Sequence, residues 1–102
     1  MASKDRRLEL HAKFKELTPN VYYQPPASVR MTYPAIRYEL ARIDATSADN
    51  LSYLRNRAYQ VTVIDADPDS SITDALSTWP QCRFNRVYTA DNLYHFVFII
   101  YY

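Results

Sequence analysis

There is no glycine anywhere in the 102-residue chain. Glycine-rich phosphate loops and dinucleotide-binding turns rely on that residue for close backbone approach, so nucleotide binding of either kind is excluded. Every tight turn must then be built from Asn, Asp or Pro. Cysteine occurs once, as Cys82, which excludes an internal disulfide and is compatible with a reducing compartment. No His and Cys residues are spaced for a metal site, so neither a metal nor a cofactor is expected. Charge of either sign is scarce in excess: twelve Lys and Arg face eleven Asp and Glu, and no basic run concentrates the cations. That argues against a dedicated nucleic-acid binder. No apolar stretch approaches the about 20 residues that a membrane-spanning helix needs, and no membrane contact is expected. The opening MASKDRRLEL is charged and has no apolar core, so no secretory signal is expected and the cytoplasm, or a particle assembled there, is the expected location. A chain of this length forms a single domain, 1–102, with one modest core.

What the chain has in quantity is tyrosine, ten in all, and an apolar C-terminal run, LYHFVFIIYY, in which His95 is the one clearly polar side chain. Tyrosine joins a rigid apolar body to a polar tip, which suits both a β-rich core and a partly wet interface with a partner. The terminal run is too short to span a bilayer, and its Phe, Val, Ile and Tyr content reads as a buried strand. Leu93, His95, Val97, Ile99 and Tyr101 fall on one side of it, with Tyr94, Phe96, Phe98, Ile100 and Tyr102 on the other. Both sides therefore need shielding.

Ser3 can cap a helix from about Lys4 to Leu17, with Leu10, Phe14 and Leu17 at i, i+4 and i+7, and Pro19 stops it. Val21 to Gln24 can pair briefly before Pro25 and Pro26 remove two ladder donors, and an extended loop then runs to Pro34. AIRYELARIDA alternates, Ile36, Tyr38 and Leu40 against Arg37, Glu39 and Ala41, and RAYQVTVIDAD does the same. Between them lies a connection, Ala45 to Arg55, that is long for a hairpin. In DPDSSITDALSTWP, Asp69 or Ser70 can cap a helix whose stripe is Ile72, Ala75, Leu76 and Trp79, ended by Pro80. CRFNRVY is a strand, TADN a turn, and the terminal strand follows. The order α, β, β, β, α, β, β predicts an α+β domain. A mostly antiparallel sheet of four to five strands carries two amphipathic helices on one face. The helices cover only that face, so the opposite one is expected to meet another subunit.

Catalytic patterns are weak. Cys82 and His95 lack a third orienting group and any feature that would lower the thiol pKa. Asp65, Asp67, Asp69 and Asp74 lack the glycine and distal glutamate of a calcium loop, and they suit a helix start instead. No catalytic, cofactor-binding or metal residues are assigned, and the chain is not expected to be an enzyme.

Taken together, QPPASVRMTYPAIRYEL, YQVTVIDADPDSSITDAL and RFNRVYTADNLYHFVFIIYY give the chain a specific resemblance. It resembles the small tail terminator or tail completion proteins of long-tailed bacteriophages, also described as minor tail or head–tail joining proteins. The likeness covers Lys4 to Tyr102 and rests on structural rather than catalytic signatures. It implies a virion protein of the neck, assembled in the host cytoplasm as a hexameric ring on the head-proximal end of the tail tube. Its partners would be copies of itself, the tail tube protein and the head completion or connector protein, with genomic DNA passing through the lumen without sequence-specific binding. A head completion or stopper protein in the adjacent ring, or a non-viral intracellular α+β binding domain, is the alternative. Candidate interface residues are Leu51, Tyr53 and Leu54 in the long connection, which either project towards a neighbouring ring or fold back as a lid. Arg37, Glu39, Arg57 and Gln60, assigned to the polar sides of the two alternating strands, join them, as do Tyr101 and Tyr102 at the terminus.

Overall fold

A computed structural model describes residues 3–26, 28, 30–46 and 54–102. The elements are α1 (Ser3–Lys15), β1 (Val21–Tyr23), β2 (Ala35–Thr46), β3 (Leu54–Asp65), α2 (Ser71–Leu76), β4 (Cys82–Ala90) and β5 (Leu93–Tyr101). The five strands form one sheet in the order β1-β2-β3-β5-β4. Every neighbouring pair is antiparallel except β1 with β2, which is parallel. This is the α+β fold expected from the order of elements, with one parallel pair added.

The apolar spacing of α1 puts Leu10 and Phe14 wholly inside, and α2 contributes Ile72 and Leu76. Both helices pack on the sheet face made by Val21, Ile36, Tyr38, Tyr59, Val61, Val63, Phe98 and Ile100. Ser70 is the residue that caps α2, its hydroxyl accepting from the Ile72 N–H at 3.3 Å. Upstream, the carboxylates of Asp65 and Asp67 accept from the N–H groups of Asp67 and Asp69, so these acids shape the turn into the helix. Trp79 then stacks on Phe14 with centroids 5.6 Å apart and an 11° interplanar angle, joining the two helical segments.

The chain takes positive φ without glycine at Gln24, Asp91 and Asn92. The last two form the two-residue turn between β4 and β5, where primed hairpin turns demand left-handed backbone and Asn and Asp tolerate it. The hairpin register follows, with Ala90 opposite Leu93. β5 therefore lies inside the sheet, bonded to β3 on one side and β4 on the other.

The opposite sheet face is not left wholly to a partner. Tyr22 and Arg37 are paired on it, and the Tyr22 hydroxyl accepts from the Thr32 N–H at 3.1 Å, drawing the proline-rich loop across. Pro25, Pro26, Met31 and Tyr33 come to border a cleft of about 260 Å³ with Ile64, Tyr88 and His95. Ile64, in the cleft, and Val97, elsewhere on the same sheet face, are buried. Part of the cover of this face, a candidate for contact with another subunit, thus comes from the chain's own loop.

Candidate subunit interfaces

The tyrosines on the helix-bearing face hold α1 to the sheet. Tyr38 is fully buried, and its hydroxyl lies 2.6 Å from His11 Nδ1. Arg7 sits over the Tyr23 ring at 4.2 Å and Arg6 over Tyr102 at 5.4 Å, both within cation–π range. The Tyr102 hydroxyl donates to Glu9 Oε1 at 3.1 Å. Burial pushes the Tyr38 and Tyr59 hydroxyls above their ordinary pKa, and Arg7 and Arg57 act in the opposite sense. Much of the tyrosine excess thus serves contacts within the chain. Burial lowers the His11 pKa, and the nearby cations Lys15 and Arg7 add to it.

The candidate interface residues separate into groups. Arg37, Glu39 and Gln60 lie on the face away from the helices, where Glu39 and Gln60 are directly paired. Arg37 and Glu39 form an exposed ion pair at 3.5 Å, a contact worth about 0–1 kcal/mol. Arg57 does not join them. It shares the parity of Tyr59, Val61 and Val63 along β3, which puts it on the helix side near the Tyr59 hydroxyl. Its assignment to the polar side is corrected on that ground, because side chains two apart on a strand share a face. Tyr102 is engaged by α1, while Tyr101 is half-buried opposite Ala58. Leu51 and Tyr53 lie outside the described residues. Leu54 opens β3 opposite Thr46, so the connection is shorter at both ends than its sequence suggested.

Two surfaces were not legible as sites in the sequence. One is β4, an edge strand whose residues from Arg83 to Thr89 are all exposed. Phe84 is 57% and Val87 49% accessible there. The other is an axial separation of charge. From Ala58 to Cys82 there is no Lys or Arg but four aspartates. The register brings Asp65 to the end of the sheet that also carries the Asp91 turn. Arg57, Arg6 and Arg83 lie towards the other end, around Tyr102 and Ile99, and the separation is partial, since Arg37 shares a cleft with Asp91 and Glu9 accepts from Tyr102. Eight residue steps of β3 separate Arg57 from Asp65, roughly 26 Å of extended strand. The charge gap between residues 57 and 83 was the available signal, hidden by the overall balance.

Cys82 and His95 are kept apart, Cys82 opposite Ile100 and His95 opposite Ile64 and Tyr88. Burial pushes the Cys82 thiol up to about 11, so it is protonated at neutral pH and a poor nucleophile. His95 stacks on Tyr88, with centroids 4.8 Å apart. Among the described residues no group of three or more His, Cys, Asp or Glu could hold a metal ion.

The fold and surfaces together define a small α+β domain with an open sheet edge and an uneven distribution of charge along its strands. No family model, curated protein or solved structure matches the chain.

Proposed function

We propose that the chain is a structural protein of a bacteriophage neck, a tail terminator that assembles as a hexameric ring on the head-proximal end of the tail tube. In that role it stops tube growth and offers the surface that the head connector meets. The observation that carries the reading is the uneven charge along the strands, with Asp65 and Asp91 towards one end and Arg57, Arg6 and Arg83 towards the other, offset only in part by Arg37 and Glu9. A ring of subunits in one orientation would gather the aspartate end on one rim and the arginine end on the other. Rings stacked in a column need two unlike rims, and complementary potentials fix register and suppress wrong partners more than they add affinity. The resemblance of the three quoted segments to tail terminator proteins supports the same reading.

The reading is one of assembly, and it assigns no catalytic role to the cleft or to the thiol. The cleft beside the proline-rich loop is lined by Arg37, Tyr88, Asp91 and His95, and the one thiol, Cys82, is not among its lining residues and is held neutral. DNA would pass through the lumen without base readout. A head completion protein in the adjacent ring would use the same polarity, and the two readings separate by phenotype. Inactivating the coding gene in its genome tests them: unjoined heads beside tails of uncontrolled length support a terminator, unjoined heads beside tails of normal length a stopper. Normal infectious virions would refute both.

A further inference from the structure

The sheet is open on both sides. β4 bonds to β5 alone, and no described strand lies beyond it. At the other edge β1 covers only Ile36 to Tyr38 of β2, and the Gln24 side chain accepts from the Leu40 N–H. From Ala41 to Thr46 no described strand pairs with the outer side of β2. Open ladders of this kind are templates for another strand.

Strand direction and charge select the occupant. Since β2, β3, β5 and β4 alternate in direction across the sheet, β4 runs opposite to β2. A second copy in the same orientation therefore meets β4 with its own β2 antiparallel, the ordinary ladder geometry. A two-fold β4 to β4 contact is also antiparallel, but it would bring together two copies of a strand that has Arg83 and Arg86 and no acid. Like charges set opposite one another across a ladder destabilise it. The open stretch of β2 from Ala41 to Thr46 has one acid, Asp44, and one base, Arg42, so it sets no net positive charge against Arg83 and Arg86. The bulge between Phe84 and Arg86, with the two arginines, guards the edge against indiscriminate partners while leaving Phe84 and Val87 to be covered.

We infer that the open edge of β4 pairs with the open segment Ala41–Thr46 of β2 in a second copy of the chain, so that the sheet runs head to tail from subunit to subunit. Such a contact is heterologous and closes as a ring when its rotation allows. The inference deepens the ring reading and rests on its claim that copies assemble.

The test combines native mass measurement with cross-linking of the full chain. The double variant Phe84→Lys/Val87→Lys alters only exposed positions and is expected to keep the wild-type circular dichroism spectrum while falling from the assembled mass to the 12.0 kDa monomer. In a Cys82→Ser background, cysteines placed singly at Val87 or Tyr88 and at Ala41 or Ile43 should form disulfides only when a β4 variant is mixed with a β2 variant. Assembly that survives the lysine pair overturns the edge pairing and leaves the ring reading standing. Disulfides formed by a β4 variant alone show a two-fold contact and overturn it as well. A wild-type chain that stays at 12.0 kDa to its solubility limit removes the self-pairing, whereas assembly through these edges with no virion phenotype removes the neck function only.

Discussion

Replacing Phe14 by alanine tests the joint between α1 and the sheet. Phe14 is fully buried, meets Tyr38 edge-on at 5.0 Å and stacks on Trp79 at 5.6 Å, so one side chain connects helix, sheet and the segment after α2. Truncating a buried phenylalanine costs about 3–5 kcal/mol, transfer and cavity together. A domain of this size has about 5–15 kcal/mol in total. With an unfolding entropy of about 2.1 cal/mol/K per residue, that loss lowers Tm by roughly 14–23 °C. Assembly raises apparent stability by mass action, so the measurement belongs in the monomeric Phe84→Lys/Val87→Lys background. Thermal and urea unfolding followed by circular dichroism would give the difference directly. A loss below about 1 kcal/mol would show that α1 is not held through Phe14, and the core described here would be wrong.

Three other outcomes follow from the same structure. Burial depresses the His11 pKa, so its contribution to stability is present above the unfolded value of 6.5 and is lost as pH falls through the folded pKa; His11→Gln should flatten that acid-side decline in a pH series of melting curves. Cys82 has the opposite sign. Its pKa is raised to about 11, so its contribution is complete below the unfolded pKa near 9.0 and fades as pH rises towards 11, and the wild type should lose more stability across that window than Cys82→Ala. Deleting Ile99 to Tyr102 removes the ladder partners of Ala58, Tyr59 and Gln60 together with buried Ile100, and large side chains contribute about 1.5–3 kcal/mol each when buried. The truncated chain should be insoluble or unfolded, and an unchanged Tm would contradict the position of β5 between β3 and β4.

Local pattern made much of the fold readable. Alternation marked β2, β3 and β5, Ser70 and the Ile72 to Trp79 stripe marked α2, and in a chain without glycine the Asp91-Asn92 pair was the evident turn. What escaped was set by contacts distant in sequence. The parallel pairing of β1 with β2 spans the proline-rich loop, and no periodicity reports it. That loop's cover over Ile64 is held by contacts such as the Tyr22 hydroxyl reaching Thr32 and the Asn20 amide reaching Pro34. The strands also run further than their apolar patterns, so Leu54 belongs to β3 and not to a loop. Of the residues assigned to the polar sides of the strands, Glu39 and Gln60 do share a face because both follow strand parity. Arg57 was misassigned because its charge was read in place of its parity. The exposed edge of β4 was hidden, because its Phe84 and Val87 look like core residues until the strand order is known.

The central claim, that this is a ring subunit at the junction of head and tail, is tested most directly by localising the chain in purified virions. An antibody raised against the isolated domain, visualised by gold-label electron microscopy, should mark one band between the head and the tail tube. Label along the tube or at the distal tip, or none on intact particles, would contradict the claim.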